Sequence, residues 1–314
     1  MGKELRVILV TGCPRSGTTA VGKMLSLGRS VCALHEPFNY HVGIKEVERY
    51  FEVPGTGLFP YDKLDSCVRM IRNLDLDFKK GVFPNDSMPR KIFKYAAGGR
   101  ALNSFRLCRM NPFLEVIVWK DPFACFMAEY LSKEHNMNVL VTLRNPWAVS
   151  ASFKRMRWAF DLKDIIGRLA AAGHDFSGHL ELLERGIDPC FANGAVIWNI
   201  IYSLILQWSS AFSLIRVVDI DRILGNPQKT YEALYHIFGL PWNDTVSKKI
   251  TMAYAPRTGR ETPREKRAHD GKRDLKMIND YWRSCTDGAE SDFVQMVNGD
   301  LWERLKTAAG EGPC

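Results

Sequence analysis

Val7-Ile8-Leu9-Val10-Thr11-Gly12-Cys13-Pro14-Arg15-Ser16-Gly17-Thr18-Thr19 is the stretch on which the fold turns. An apolar run fit for one buried strand passes into a Gly-x-x-x-x-Gly turn, and the turn into an amphipathic stretch beginning at Thr18. Glycines let the backbone close around an anion, while successive N–H groups and a helix N-terminus supply the positive field. Strand, glycine turn and helix in that order predict a phosphate-binding P-loop in which Pro14, Arg15, Ser16, Gly17, Thr18 and Thr19 meet the ligand. A nucleotide triphosphatase would carry Lys at position 18 to reach the outer phosphates, followed by Ser or Thr for magnesium. Thr18-Thr19 stands there instead, and Arg15 adds a cation where a terminal anionic group would lie. Such a loop suits a phosphate ester that needs no metal.

Four further apolar runs, at residues 31–34, 116–119, 139–143 and 214–218, are short and do not alternate strictly. Strands buried on both faces of a parallel sheet read this way. Amphipathic stretches begin at Thr18, Pro122, Pro146 and Pro227, three of them with Pro at a first helical position. Repeated βα units predict an α/β, P-loop-containing nucleotide-binding fold with a central parallel sheet flanked by helices. No repeat or Ser/Gly linker divides the chain, so residues 1–314 are expected to form a single domain with excursions at about 52–113 and 161–192. The second excursion suggests a pair of helices interrupted by Gly173 and Pro189. Either excursion could shape an acceptor site or merely pack at the periphery.

The composition is that of an ordinary globule, with 46% apolar and 25% charged residues, which leaves enough apolar side chain for a sizeable core. A formal charge of +8, from 43 Lys and Arg against 35 Asp and Glu, suits a polyanionic ligand without identifying one. Eight cysteines are scattered without CxxC pairs or His partners at metal spacing, so no metal site is expected. Met1-Gly2-Lys3-Glu4 runs straight into the first strand without a signal peptide's apolar core, which makes the cytoplasm the expected compartment. The most apolar later stretch, residues 195–206, contains Asn199 and Ser203 and reads as a buried helix too short to span a bilayer.

Three more places concentrate chemistry at predicted strand ends, where ligands of open α/β sheets collect. Arg144 closes the fourth strand and Ser152 follows eight residues later in a helix, so the two can converge on one phosphate. Lys120 closes the third strand, where it can neutralise charge on a transferring group; the following Asp121 fits a helix N-cap. His35 and Glu36 follow the second strand, and on an extended segment only one of them should face the crevice.

These segments carry a family resemblance. Cys13-Pro14-Arg15-Ser16-Gly17-Thr18-Thr19 resembles the 5′-phosphosulfate loop of sulfotransferases that use 3′-phosphoadenosine-5′-phosphosulfate (PAPS). Arg144-Asn145-Pro146 with Ser152 is similar to that family's 3′-phosphate motif, and Trp119-Lys120-Asp121-Pro122-Phe123 to a segment of the tyrosylprotein sulfotransferases. Leu34-His35-Glu36-Pro37-Phe38, with Tyr40-His41-Val42, resembles the Glu-Pro element of carbohydrate sulfotransferases. Residues 217–224 and Phe238-Gly239-Leu240-Pro241 resemble the family's late strand and helix end. The resemblance implies PAPS as donor, residues 14–19 on its 5′-phosphate, Arg144 and Ser152 on its 3′-phosphate, and Glu36 as the base that deprotonates an acceptor hydroxyl. Arg15 and Lys120 would be its electrostatic partners. His35 competes with Glu36 as base, because an imidazole titrates near neutrality. Arg257-Thr258-Gly259 is similar to a donor-closing Arg-Lys-Gly loop but lacks the lysine, so Arg257 fits either a lid on the donor or an exposed charged loop.

The expected partner is a hydroxyl-bearing acceptor, with carbohydrate favoured. The basic stretch 257–273 lacks the aromatic platform or recognition helix of a nucleic-acid binder. A P-loop small-molecule kinase would explain the first motif but neither Thr18 nor the Arg144/Ser152 pair. A non-catalytic nucleotide-binding protein on the same fold would explain all of them without turnover.

Overall fold

Each of the five apolar runs becomes a strand in the computed structural model, which describes residues 4–81, 87–89, 98–255 and 280–311. The strands are β1 (Arg6–Thr11), β2 (Val31–His35), β3 (Val116–Lys120), β4 (Asn138–Leu143) and β5 (Ile215–Asp219). They pair in parallel in the order β2-β3-β1-β4-β5. Alternation along each strand divides the core between the two faces of the sheet. Ile8, Val10, Val118 and Leu140 pack on one side, and Val7, Leu9, Ile117, Trp119, Val139 and Val141 on the other. Helices cover both faces, which is why these strands read as continuous apolar runs rather than as alternating ones.

The smaller layer contains α1 (Thr18–Leu25). After β2 come α2 (Tyr61–Asn73) and α3 (Arg100–Met110); after β3, a 3-10 turn (Pro122–Met127) and α4 (Ala128–His135). The helices α5 (Pro146–Met156), α6 (Leu162–Ala171) and α7 (Pro189–Ala211) separate β4 from β5. After β5 the chain forms α8 (Ile220–Gly225), α9 (Pro227–Ile237), α10 (Asp244–Tyr254), α11 (Trp282–Cys285) and α12 (Gly288–Glu311). Pro122, Pro146 and Pro227 each open their element, as their fixed φ and missing N–H favour.

Two expectations need correction. Pro189 does not interrupt a helix: it opens α7, with the Asp188 carboxylate capping the N–H groups of Cys190 and Phe191, and the stretch before it holds α6 and two 3-10 turns. The same helix is longer than the apolar run at its centre. At 23 residues and a mean hydropathy of 1.5, α7 is long and apolar enough to cross a membrane, yet 72% of that window lies inside the protein. Trp198, Ile201, Tyr202 and Ile205 are enclosed there, and Gly194 passes so close to α5 that a Cβ would meet the Ser150 Cα at 3.0 Å.

Strand order fixes where a ligand can sit. From β1 the chain continues towards β2 on one side of the sheet, and from β4 towards β5 on the other. A crevice opens at the carboxyl ends of the two strands, where the connections diverge. The loop 12–17 leaves β1 there; Lys120 ends β3 opposite Val10, and Arg144 follows the last residue of β4, four positions beyond Leu140, which is also opposite Val10.

Candidate active site

The loop after β1 is shaped by backbone conformations that few residues tolerate. Gly12 has a φ of 139°, and a Cβ there would meet the Thr142 carbonyl oxygen at 2.6 Å and Ser16 Oγ at 2.8 Å. No side chain fits at position 12, because the turn packs directly on Thr142 and Ser16. Arg15 is held at a φ of 76°, in the left-handed region that costs an L-residue about 1–2 kcal/mol. Its surroundings hold it there: the Arg144 guanidinium donates to the Arg15 carbonyl at 2.9 Å, and Arg15 Nε donates to Ser152 Oγ at 2.8 Å. Arg15 also lies 5.8 Å from the centre of the Trp158 ring.

Arg15 thus meets Arg144 and Ser152, more than a hundred residues later in the chain, while Ser16 turns inward to share a 2.7 Å hydrogen bond with Thr142. Asn145 prepares the arrangement by capping the Ala148 N–H of α5, the helix that carries Ser152. Arg144 is almost wholly enclosed, and burial, followed by the nearby Arg15 charge, pushes its guanidinium down to about 10. Arg144 remains a cation at neutral pH and is repelled by Arg15, with Asp221 as an opposing charge. An anion between the two arginines would relieve that repulsion, so the cluster fits a phosphate.

A second cluster lies beyond β1 on β3 and β2. Lys120, at the end of β3, forms an ion pair with Glu36, and the Glu36 N–H donates to the Lys120 carbonyl at 2.8 Å. Asn39 Nδ2 donates to the other carboxylate oxygen at 2.9 Å, and His35 Nε2 lies 3.7 Å from Glu36. Burial disfavours the charge on Glu36, but Lys120 and His35 outweigh it and hold the carboxyl at about 2. The expectation that only one of His35 and Glu36 faces the crevice fails. Glu36 adopts a φ of 48°, so the chain turns immediately after β2 and the alternation of an extended strand does not apply.

Asp121 has the capping role expected of it, accepting from the Phe123 N–H at 3.0 Å and also from the Phe38 N–H at 2.6 Å. It thereby ties the Glu36 turn to the end of β3. Full burial, then the Glu36 charge, pushes its carboxyl up to about 7.

Several residues that matter to this geometry escaped sequence reasoning. Thr142 bridges Ser16 and the Thr11 carbonyl; Tyr202 of α7 donates to the Thr142 carbonyl at 2.6 Å and accepts from the Cys13 N–H at 3.4 Å. Trp198, one turn earlier, donates to the Arg144 carbonyl at 2.9 Å. Their signal was present: two aromatics with polar tips, spaced i and i+4 in an otherwise apolar run. Gly22 of α1 lies against Lys120, where a Cβ would meet its Cγ at 2.9 Å. Arg257 and the basic stretch 257–273 lie outside the described residues. Among the described residues no three His, Cys, Asp or Glu side chains gather as a metal site.

A glycine turn and two neighbouring arginines thus lie at the carboxyl ends of a parallel sheet. The chain belongs to the sulfotransferase family, whose model matches residues 7–244. It is therefore an enzyme type that transfers a sulfo group. No curated protein matches the chain. Among solved structures, it is similar to the sulfotransferase domain of the Synechococcus PCC 7002 olefin synthase, with 14% identity, a TM-score of 0.47, and coverage of 97% of this chain and 96% of that one. The sulfotransferase domain from the curacin biosynthetic pathway gives 14% identity and a TM-score of 0.44, covering 96% and 98%. Sulfotransferase STF9 from Mycobacterium avium gives 13% and 0.46, covering 96% and 77%.

Proposed function

We propose that the protein, acting as one sulfotransferase domain, moves a sulfonate group from PAPS to a hydroxyl of an acceptor, without a metal ion. The observation that carries this reading is the meeting of Arg15 with Arg144 and Ser152, at contacts of 2.9 and 2.8 Å, beside a glycine turn that has no P-loop lysine. A donor with phosphates at both the 5′ and 3′ positions suits two guanidiniums presented by different strands. The Pro14–Thr19 loop would hold the 5′ side, and Arg144 with Ser152 the 3′-phosphate. Arg257 is proposed as a further donor contact on the resemblance of its motif alone. When bound, PAPS supplies an activated sulfonate whose leaving group is adenosine 3′,5′-bisphosphate.

In this reading Glu36 takes the proton of the acceptor hydroxyl, whose oxygen attacks sulfur in line with the departing phosphate oxygen. Arg15 and Lys120 neutralise the sulfonate and the leaving phosphate. A carboxylate held at about 2 by Lys120 is a weak base. Once Lys120 turns its ammonium to the sulfonate, the burial of Glu36 is no longer outweighed and its proton affinity rises. The ion pair therefore keeps Glu36 inactive until the donor site is filled.

A carbohydrate is the favoured acceptor. What supports it is the aromatic group near Glu36, where Tyr40, His41 and Tyr50 have ring centroids 4.8–5.7 Å apart, Tyr50 feels the Glu36 charge and Tyr40 is exposed, an apolar surface of the kind that suits the C–H side of a sugar ring. A cytoplasmic setting is supported by the seven described cysteines, all of them free thiols. The test is sulfonate transfer from labelled PAPS to a panel of carbohydrate, phenolic and lipid hydroxyls, with calorimetry against adenosine 3′,5′-bisphosphate and against ATP with magnesium. Tight bisphosphate binding with turnover on sugars is expected. Preference for ATP with magnesium would favour a kinase, and bisphosphate binding without turnover a non-catalytic protein.

A further inference from the structure

The family model ends at residue 244, yet the chain beyond it reaches the helix that follows Arg144. α12 buries Phe293, Val294, Leu301, Trp302 and Leu305 in the main core. It is tied to α7 by side-chain amides: Asn199 Nδ2 donates to the Val297 carbonyl at 2.6 Å, and Asn298 Nδ2 to the Ala195 carbonyl at 3.2 Å. Its Trp302 ring lies 6.2 Å from Trp198, the residue that holds the Arg144 carbonyl.

At its start α12 also grips α5. Trp147 Nε1 donates to the carbonyl and to Oγ of Ser291, both at 3.2 Å, and the Trp147 ring lies 5.8 Å from Trp282 of α11. Lys154 Nζ donates to Glu290 Oε1 at 2.6 Å. Glu290 is itself fixed: it is buried, its N–H donates to Asp287 Oδ1 at 2.8 Å, and its Oε2 accepts the Asp287 N–H at 3.4 Å, the reciprocal pair of a capping box. From Trp147 to Lys154 the chain makes about two helical turns, so both anchors sit on one face of α5. Ser152 lies on the far side, bonded to Arg15. Two anchors on one face stop the helix from rolling. At about 5 Å from the axis a roll of about 20° moves a side-chain atom by about 1.7 Å, enough to break the Arg15–Ser152 hydrogen bond.

We propose that Glu290 and Ser291 are positioning residues for the donor's 3′-phosphate, acting on α5 through Lys154 and Trp147. The inference rests on the reading that Arg144 and Ser152 hold that phosphate. Both residues act through others and not on the phosphate itself. What they supply is orientation: Arg144 shortly precedes Trp147 and Ser152 shortly precedes Lys154, so the anchored stretch is the one that carries both phosphate contacts. Fixed in advance, the guanidinium and the hydroxyl need not be ordered when the donor arrives. That favours the 3′-phosphate, which they meet, over the 5′ side, which the loop after β1 would hold. Preference for a 3′-phosphorylated nucleotide therefore extends to the last helix.

The test uses the full chain and calorimetry with two probes, adenosine 3′,5′-bisphosphate and adenosine 5′-phosphosulfate. Glu290→Gln keeps an oxygen for the Asp287 N–H and removes the charge that Lys154 meets; Trp147→Phe keeps a ring against Trp282 and removes the donor to Ser291. Together they should weaken the bisphosphate about five- to tenfold more than the phosphosulfate. A purely structural role would weaken both alike, so equal losses, or none, overturn the proposal. Arg144→Ala is the control. If it too leaves the ratio of the two affinities unchanged, the donor reading falls and this inference with it; if Arg144→Ala alone alters the ratio, only this inference falls. The wild-type protein supplies a second measurement. Coupling is reciprocal, so at saturation the bisphosphate should slow amide hydrogen exchange across residues 288–296 about fivefold or more beyond the effect of the phosphosulfate. Equal protection by the two probes overturns the proposal, whether or not the variants fold.

Discussion

Glu36→Gln keeps the shape of the side chain and removes its charge, which should be felt in stability as well as in turnover. The folded carboxyl sits at about 2 against an ordinary 4.5. For an acid whose folded value is depressed, the associated stability is present above the unfolded value and is lost as pH falls towards the folded one. The window here runs from about pH 4.5 down to about pH 2, and the whole difference corresponds to about 3 kcal/mol. Asp121, held up at about 7, is already protonated in the folded protein throughout that window and so contributes little to the comparison. Gln also relieves Asp121 of a neighbouring charge at neutral pH, which brings the expected net loss there to about 2–3 kcal/mol. Urea unfolding of both proteins at pH 7, 4.5 and 3.5 measures this, and between pH 4.5 and pH 3.5, where folded Asp121 is protonated, the difference should shrink by about 1 kcal/mol. Turnover should fall about a hundred- to ten-thousandfold with donor affinity nearly unchanged, while His35→Asn does much less. A stability difference that stays constant with pH would refute the ion-pair reasoning. A larger rate loss in His35→Asn would refute the assignment of Glu36 as base.

Arg144→Ala should weaken adenosine 3′,5′-bisphosphate about ten- to hundredfold more than adenosine 5′-phosphosulfate, as calorimetry would show; equal losses would mean that Arg144 supports the fold instead. EDTA should leave turnover intact, since Thr18-Thr19 replaces the Lys-Ser/Thr pair that accompanies magnesium, and activity restored by a divalent ion would contradict this. Gly22→Ala places a Cβ against the Lys120 stem and should lower kcat about tenfold, with bisphosphate affinity nearly unchanged in calorimetry. Tyr202→Phe removes the donor to the buried Thr142 carbonyl and should cost about 1–3 kcal/mol in urea unfolding.

The sheet was legible because burial on both faces leaves a plain mark, a short run without alternation. The sequence ranges 31–34 and 139–143 fall within a residue of β2 and β4. The turn after β1 was legible for a related reason. Gly12 and Gly17 both take positive φ, so their spacing, set between an apolar strand and a helix, marks the turn. Arg144 and Ser152 were found because the distance between them is local, within one strand end and the helix after it. Their meeting with Arg15, through the 2.8 Å contact between Arg15 and Ser152, was not read from the sequence, which placed Arg15 with Lys120 instead.

What stayed hidden depends on contacts between elements distant in sequence. Nothing near Thr142 says that Tyr202, sixty residues later, will take its carbonyl, because that contact exists only once α7 lies beneath β4. The His35–Glu36 turn was misjudged for a different reason. A strand pattern gives the direction of side chains only while φ stays extended, and Glu36 leaves that region one residue after β2 ends. The cost of that conformation is small beside the contacts that enforce it: the Lys120 carbonyl takes the Glu36 N–H, Asp121 takes the Phe38 N–H, and Asn39 and Lys120 divide the carboxylate. A backbone N–H, a capping carboxylate and an ion pair all act on three consecutive turn residues and their neighbours. The carboxylate is thus positioned by the end of β3 rather than by its own strand, which is why the segment around Lys120 and the segment around Glu36 have to be read as one site.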